Sequence, residues 1–267
     1  MIVIIIPILY RHITLPNKLS VLLVSDPETQ KSAACCDVNV GSLCDPVEAP
    51  GFKHINHNKH NQYIDNLYLV VGLAHFLEHM LFMGTEKYPV ENGYSSFLNS
   101  HGGHSNAYTS QENTVYYFDI QNEHFEEAIN MFSSFFTCPL FNESSTSREI
   151  TAVDNENTKN LQSDMWRFFQ LMKSMARPDH PFNKFSTGNK ETLEMYPTDK
   201  GLNIHDILLS FYDKYYSANI MKFVLYGKES LDMLQNWAEQ KLSSGIISFI
   251  PFVFIHFNNL IISSFKN

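Results

Sequence analysis

The pattern His75-Phe76-Leu77-Glu78-His79 constrains the fold more than any other part of this sequence. On an α-helix, side chains four residues apart lie on one face with Cβ atoms about 6 Å apart, so both imidazoles can bind one metal ion. Glu78 stands at the edge of the same face and can reach a metal-bound water to take its proton. Apolar residues at 73, 76, 77, 80 and 81 follow the helical repeat. We therefore predict a half-buried helix that presents a metal site.

Two glutamates further along the chain, Glu149 and Glu156, are candidates for a third ligand. A tetrahedral catalytic zinc takes three protein ligands and leaves its fourth position to water. The two glutamates are seven residues apart, which is two turns on one helix face. Asn142 and the Ser/Thr run 144–147 indicate a helix start, where Thr146 with Glu149 would fit a capping box. Spacing alone leaves open whether Glu149 is a ligand or a cap, and whether Glu156 is a ligand or a solvated side chain.

Several longer motifs show a family resemblance that bears on this choice. They are Gly72-Leu73-Ala74 before the histidines, Met80 to Thr85 after them, His101-Gly102-Gly103, Ser105 to Thr109, Cys138 to Phe141, His180-Pro181-Phe182 and Thr187-Gly188-Asn189. Together they resemble the pitrilysin family of zinc peptidases, in which H-x-x-E-H inverts the commoner H-E-x-x-H order. The likeness covers roughly residues 14–52 and 72–241.

The resemblance implies roles for the acidic residues. In this family 76 residues separate the second histidine from a glutamate ligand, and residues 80–155 form that interval here. The resemblance therefore implies that one Zn²⁺ is held by His75, His79 and Glu156. Glu78 would be the general base, and Glu149 would be a second acidic residue of the catalytic site, close to the metal. The implied activity is that of a zinc metalloendopeptidase acting on peptides.

The resemblance also implies a substrate-binding surface. The segment Ser105-Asn106-Ala107-Tyr108 matches a strand edge that pairs with the extended backbone of the substrate, with Asn106, Ala107 and Tyr108 as contacts. Phe82, Tyr108, Trp166 and Phe169 match apolar positions that line the substrate pocket of the family. Ordinary core packing is the alternative interpretation of each aromatic residue.

The order of predicted elements favours an α+β fold, a mainly antiparallel sheet covered by helices. We predict strands at 18–25, 114–120 and 220–226, and a strand at 33–40 that pairs with the first. Helices are predicted at about 122–136, from 143 through 175, and from Ile207 onward. The resemblance implies the same fold.

We predict one peptidase domain at 14–241, interrupted by an insertion at about 53–71 and flanked by atypical tails at 1–13 and 242–267. The insertion is rich in Asn, His and Lys, and His54, His57 and His60 leave a second metal site as an alternative. Residues 246–265 are largely apolar, so a membrane anchor is the alternative for the second tail. We interpret both tails and the insertion as translated non-coding sequence.

The net charge and the cysteines of the chain limit which partners and which cellular compartment we expect. The formal net charge of −9 implies no nucleic-acid partner. The four cysteines, at 35, 36, 44 and 138, form no disulfide framework, and we interpret them as reduced in a cytoplasmic protein. In the resembled family the zinc domain works with a C-terminal half or a homologous subunit. The alternative is an inactive truncated fragment that binds zinc and peptide.

Overall fold

A six-stranded sheet forms the centre of the computed structural model, which describes residues 7–46, 70–177 and 180–244. The strands are β1 (Leu9–Thr14), β2 (Ser20–Ser25), β3 (Lys31–Val38), β4 (His104–Thr109), β5 (Thr114–Gln121) and β6 (Met221–Gly227). Their order across the sheet is β1-β2-β6-β3-β5-β4. Only β2 and β6 pair in parallel, and the other neighbours are antiparallel.

Eight helices accompany the sheet in these ranges. They are α1 (Leu73–Leu81), α2 (Gly93–Ser100), α3 (Phe125–Ser134), α4 (Glu143–Asn160), α5 (Asp164–Ser174), α6 (Tyr196–Asp199), α7 (Ile204–Tyr215) and α8 (Leu231–Leu242). Both α1 and α2 pack against β4, α3 packs against β3 and β5, and α8 packs against β1 and β2. The predicted α+β fold with a mainly antiparallel sheet is therefore confirmed.

The core follows from the repeats in the sequence. Burial alternates along β3 and β6, because successive side chains of a strand point to opposite faces. Phe125, Ile129 and Phe132 of α3, with Phe136 just beyond the end of this helix, recur at helical spacing and are buried. Phe132 stacks edge-on against Phe223 of β6 with ring centroids 5.6 Å apart. The aromatic face of α3 thus fixes this helix on the centre of the sheet.

The predicted pairing of 18–25 with 33–40 is wrong. β6 lies between the two strands, parallel to β2 and antiparallel to β3. Its residues Met221, Phe223 and Leu225 are buried at alternate positions, so this apolar strand gains a neighbour on each side. The two strands were predicted to pair because they are neighbours in the sequence. In the structure β6 lies between them, where it is buried.

The predicted continuous helix from 143 through 175 is also wrong, since it divides into α4 and α5. Ser163 has extended backbone angles and occupies the N-cap position of α5, and Asp164 lies in the first turn of that helix. Serine is favoured at this position, and an acidic first turn suits the helix dipole. The break falls before Trp166 and Phe169, which both lie on α5.

Some predictions fall on residues outside the described ranges. They concern most of the insertion at 53–71, including His54, His57 and His60, and nearly all of the tail at 242–267. β1 reaches into the segment 1–13 that the sequence set apart as a tail. Within the described ranges, none of the helices has the length and apolarity needed to cross a membrane.

Candidate metal centre and cleft

The two histidines of the H-x-x-E-H pattern lie on α1, as the spacing predicts. The apolar side of α1 is buried in the core, including Phe76, Leu77 and Met80, while both imidazoles are half-buried. The two rings meet edge to face with centroids 4.9 Å apart. Core packing of one face of α1 therefore fixes the direction in which the other face presents His75 and His79.

Helix α4 brings Glu156 to these rings. Nε2 of His75 lies 3.4 Å from Oε2 of Glu156, and Nε2 of His79 lies 3.6 Å from Oε1. These three side chains offer ligand atoms that all lie within 4.8 Å of one another. Zinc with ligand bonds of about 2.0 Å in a tetrahedron needs donor atoms about 3.3 Å apart. The spacing of the three donors fits one such ion with small side-chain adjustments.

The other nitrogen of each ring is held by an oxygen. Nδ1 of His75 lies 2.7 Å from the carbonyl oxygen of Thr187, and Nδ1 of His79 lies 3.2 Å from Oε2 of Glu149. A carbonyl oxygen or an ionised carboxylate only accepts, so each Nδ1 donates. In the neutral rings each Nε2 then keeps its lone pair for a metal ion, as in other histidine sites with supporting partners.

Glu149 and Glu156 therefore occupy different places at the site. The spacing of the two residues in the sequence could not distinguish them. Glu149 contacts His79 on the side away from Glu156 and does not belong to the cluster of three ligand atoms. The capping-box alternative for Glu149 is wrong, because Asn142 caps α4 by accepting from the backbone N–H of Ser144 at 3.0 Å.

Opposite charges concentrate at this point. When the two rings carry a second proton on Nε2, hydrogen bonds from His75 and His79 hold the pKa of Glu156 well below its ordinary value. Burial tends to lower the pKa of His79, but hydrogen bonds to Glu149 and Glu156 outweigh burial and raise the pKa to about 9. A cation is therefore favoured between the two helices, whether it is a proton or a metal ion.

Glu78 lies beside this cluster with only 7% of its surface exposed. Its Oε2 accepts a hydrogen bond from the hydroxyl of Thr109 at 2.5 Å. Burial raises the pKa of Glu78 above its ordinary value, although the nearby histidines and the Thr109 hydroxyl act in the opposite sense. Glu78 is thus a buried carboxyl group held in a fixed direction next to the candidate ligands.

All the residues that the sequence singled out for the site line one cleft of about 760 Å³. They are His75, Glu78, His79, Phe82, Asn106, Ala107, Tyr108, Glu149, Glu156, Trp166 and Phe169. β4 forms the edge of the sheet here, and the side chains of Tyr108 and Trp166 are 52% and 42% exposed. The cleft is therefore open and combines a polar cluster with apolar walls.

Sequence reasoning assigned no role to Thr109, Ser186 and Thr187, which also line the cleft. Thr109 and Thr187 belong to motifs that carried the family resemblance, Ser105 to Thr109 and Thr187-Gly188-Asn189. That membership was the available signal for them. Their specific contacts to Glu78 and His75 connect residues 31 and 112 positions apart, which local patterns do not reveal.

An inverted H-x-x-E-H helix with a distant glutamate, set in the cleft of an α+β domain, is the arrangement of the inverted zinc peptidases. Residues 66–179 match the family model for insulinase, peptidase family M16, and residues 203–247 match the M16 inactive domain. The chain therefore belongs to peptidase family M16, and the resemblance found in the sequence is confirmed. The first match begins inside the segment 53–71.

Individual relatives agree with this assignment. The A-factor-processing enzyme of Saccharomyces cerevisiae is 50% identical over 228 residues, covering 85% of this chain and 20% of that protein. Human insulin-degrading enzyme is 49% identical over 227 residues, with the same two coverages of 85% and 20%. The crystal structure of pitrilysin superposes with a TM-score of 0.79 at 34% identity, over 90% of this chain and 23% of that chain. The chain thus spans about 20% of the length of these two relatives.

Proposed function

We propose that the cleft is the active site of a zinc-dependent endopeptidase domain in which His75, His79 and Glu156 hold the metal ion. The observation that carries the proposal is the approach of both Nε2 atoms to the Glu156 carboxylate, at 3.4 and 3.6 Å. Two imidazole nitrogens and one carboxylate oxygen are a ligand set that zinc peptidases use. Bound zinc would supply a Lewis acid that polarises a carbonyl group and lowers the pKa of a water molecule.

We assign Glu78 the role of general base, and later of proton donor to the leaving amine. Its burial supports this role, because a carboxyl group with a raised pKa exchanges protons more readily near neutral pH. The hydrogen bond from Thr109 occupies one carboxylate oxygen and leaves the other for the substrate side. Glu149 is assigned to support His79, which it contacts directly.

We infer that the substrate is a peptide bound in extended form along β4. An edge strand offers main-chain donors and acceptors that recognise a backbone with little dependence on its sequence. The N–H of Ala107 donates to the side chain of Asn106 at 2.9 Å, so it points away from the pairing with β5. Phe82, Trp166 and Phe169 would then receive apolar side chains of the peptide.

We further propose that efficient hydrolysis needs a C-terminal half or a homologous subunit that covers the cleft. Trp166 is 42% exposed, and Phe168, the next residue but one on α5, is 69% exposed. Peptide hydrolysis needs a site shielded from bulk water and donors that stabilise the developing oxyanion. An open cleft supplies little of either.

A reducing compartment such as the cytoplasm is our proposal for localisation. It is supported by the four cysteines, all within the described residues, which form no disulfide bond.

The metal content of the purified chain tests the core of the proposal. We expect close to one equivalent of zinc per chain by elemental analysis, and loss of that zinc in the His75→Ala/His79→Ala double variant. Full zinc occupancy in the double variant would refute the assigned ligands.

Hydrolysis of a fluorogenic peptide tests the roles of the two acids. Glu78→Gln should keep its zinc and lose activity by roughly a hundredfold to ten-thousandfold. Glu156→Gln should lose zinc affinity instead, and the reverse pattern would show that the roles are wrongly assigned. Activity should rise when the C-terminal part of a relative is added in trans. Zinc and peptide binding with no hydrolysis in either arrangement would instead identify an inactive binding fragment.

A further inference from the structure

The N-terminus of α1 is capped from a distant part of the chain. Asp45 is 2% exposed, and its two carboxylate oxygens accept hydrogen bonds from the backbone N–H groups of Gly72 and Ala74, each at 2.8 Å. The free N–H groups at a helix start need acceptors, and a negative charge there is favourable. Asp45 therefore supplies the cap that Gly72, at the N-cap position, has no side chain to provide.

Lys184 connects this cap to the segment that contacts His75. It is 8% exposed, and its Nζ donates to the carbonyl oxygens of Leu43 at 3.0 Å and Asp45 at 2.5 Å. A buried ammonium group is costly unless it is paired and hydrogen-bonded, so these contacts are specific. The side chain of Asp45 thus holds α1 while its carbonyl oxygen holds Lys184.

Three residues after Lys184, the carbonyl oxygen of Thr187 accepts from Nδ1 of His75 at 2.7 Å. The next residue, Gly188, is in direct backbone contact with Gly72, because a Cβ added to Gly72 would lie 2.2 Å from Gly188 Cα. Both glycines have positive φ, 85° and 81°. Side chains are thereby excluded from between the start of α1 and the segment that fixes the His75 ring.

The caps of other helices show that a local residue would be enough for helix stability alone. Asn142, Asn203 and Ser230 each cap their own helix from the N-cap position. On α1 the cap instead comes from 27 residues away and is tied to the segment that carries Thr187. This arrangement couples the position of α1 to the acceptor of Nδ1.

We propose that Asp45 and Lys184 are positioning residues that keep His75 in the Nδ1-protonated tautomer, with Nε2 directed at Glu156, before a metal ion binds. The inference rests on the proposed function, since it gives His75 its role as a ligand. Without the pair, the Thr187 carbonyl and the His75 ring could move relative to each other. Nε2 would then carry the proton in part of the molecules, which blocks metal binding.

The test measures the tautomer of His75 in the full metal-free chain by ¹H–¹⁵N correlation spectra of the histidine rings. His75→Gln assigns the signal, and spectra are taken where the ring is neutral. We expect the Nδ1-protonated form in the wild type and a mixture of both forms in Asp45→Asn and Lys184→Met. Ser230→Ala is the control. It removes the cap of α8, in which Oγ of Ser230 accepts from the backbone N–H of Met233 at 3.3 Å, and it should leave the His75 signal unchanged.

Competition with a chromogenic chelator then measures whether the change of tautomer weakens zinc binding. Both variants should bind Zn²⁺ more weakly than the wild type, and Ser230→Ala should not. An equal mixture of tautomers alone costs about twofold, and loss of the fixed ring orientation should bring the total to roughly tenfold or more. Folded variants with wild-type tautomer and affinity would overturn the inference while leaving the proposed function intact. An Nε2-protonated His75 in the wild type would overturn it even if neither variant folds. A wild type that binds no zinc would refute the proposed function, and the tautomer would still decide the inference.

Discussion

Oε2 of Glu149 lies 3.2 Å from Nδ1 of His79, on the side of the ring opposite to Glu156. Both glutamates come from α4 and are two turns apart. One helix therefore contacts both ring nitrogens of His79, Nδ1 through Glu149 and Nε2 through Glu156. This relationship distinguishes Glu149, the proposed support of a ligand, from Glu156, a proposed ligand. It also predicts different consequences when each carboxylate is replaced.

Replacing Glu149 by Gln should weaken zinc binding without abolishing it. The amide oxygen can still accept from Nδ1, but the loss of charge makes the imidazole a weaker ligand, and such changes cost roughly tenfold to a hundredfold in metal affinity. Affinity should be measured at pH 9 with chelator-buffered zinc. Glu143→Gln, an exposed change in the first turn of the same helix, is the control. Equal affinities of the two variants would contradict a supporting role for Glu149.

Zinc affinity of the wild-type chain should increase with pH up to about 9. The pKa of His79 is raised to about 9, so below that pH a zinc ion must displace a proton from this ring. Each unit of pH below 9 should then cost about tenfold in apparent affinity. Because Glu149→Gln removes one cause of the raised pKa, its deficit should shrink as the pH falls to 7. An apparent affinity that is flat between pH 7 and 8.5 in the wild type would contradict the shift.

The parts of the site that the sequence predicted are those set by local repeats. His75 and His79 share a face of α1 because of their spacing and the apolar residues between them, and both features are visible in nine residues. Glu156 was reached through the family interval, because its contact spans 77 positions and spacing allowed a solvated alternative. The break between α4 and α5 was missed although Ser163-Asp164 is a helix-start signal.

The contacts that the sequence could not predict depend on the packing of distant segments. The order β2-β6-β3 depends on pairing between residues 202 positions apart, such as Ser20 and Lys222. The approach of Thr187 to His75 likewise requires the contact between Gly72 and Gly188. Neither relationship leaves a periodic trace in the chain. The sequence therefore predicted the three candidate ligands and Glu149, but not the contacts of Thr109 with Glu78 and of Thr187 with His75.

Removing the hydroxyl of Thr109 should slow hydrolysis and leave zinc content unchanged. This hydroxyl donates to Oε2 of Glu78 and is the contact that directs the buried carboxyl group. One hydrogen bond to a charged group contributes about 1.5–3 kcal/mol, so kcat of Thr109→Val should fall roughly tenfold or more. Thr109→Ser keeps the hydroxyl and should retain most of the activity. A loss of activity that is the same in both variants would indicate a packing effect instead.

The outer edge of β4 should bind the peptide backbone through the N–H of Ala107. This N–H donates to the Asn106 side chain, away from the ladder with β5, and an incoming peptide can take the place of that side chain. Proline removes the donor and is tolerated on an edge strand, so Ala107→Pro should leave the sheet and the zinc content intact. Loss of one hydrogen bond worth about 0.5–1.5 kcal/mol should weaken peptide binding roughly threefold to tenfold.

Fluorescence anisotropy of a labelled peptide measures this affinity, with Glu78→Gln present in every variant to prevent cleavage. Ala107→Ser keeps the N–H and should bind as the parent does. Unchanged affinity in Ala107→Pro, with intact zinc, would mean that the peptide does not bind at this position of β4.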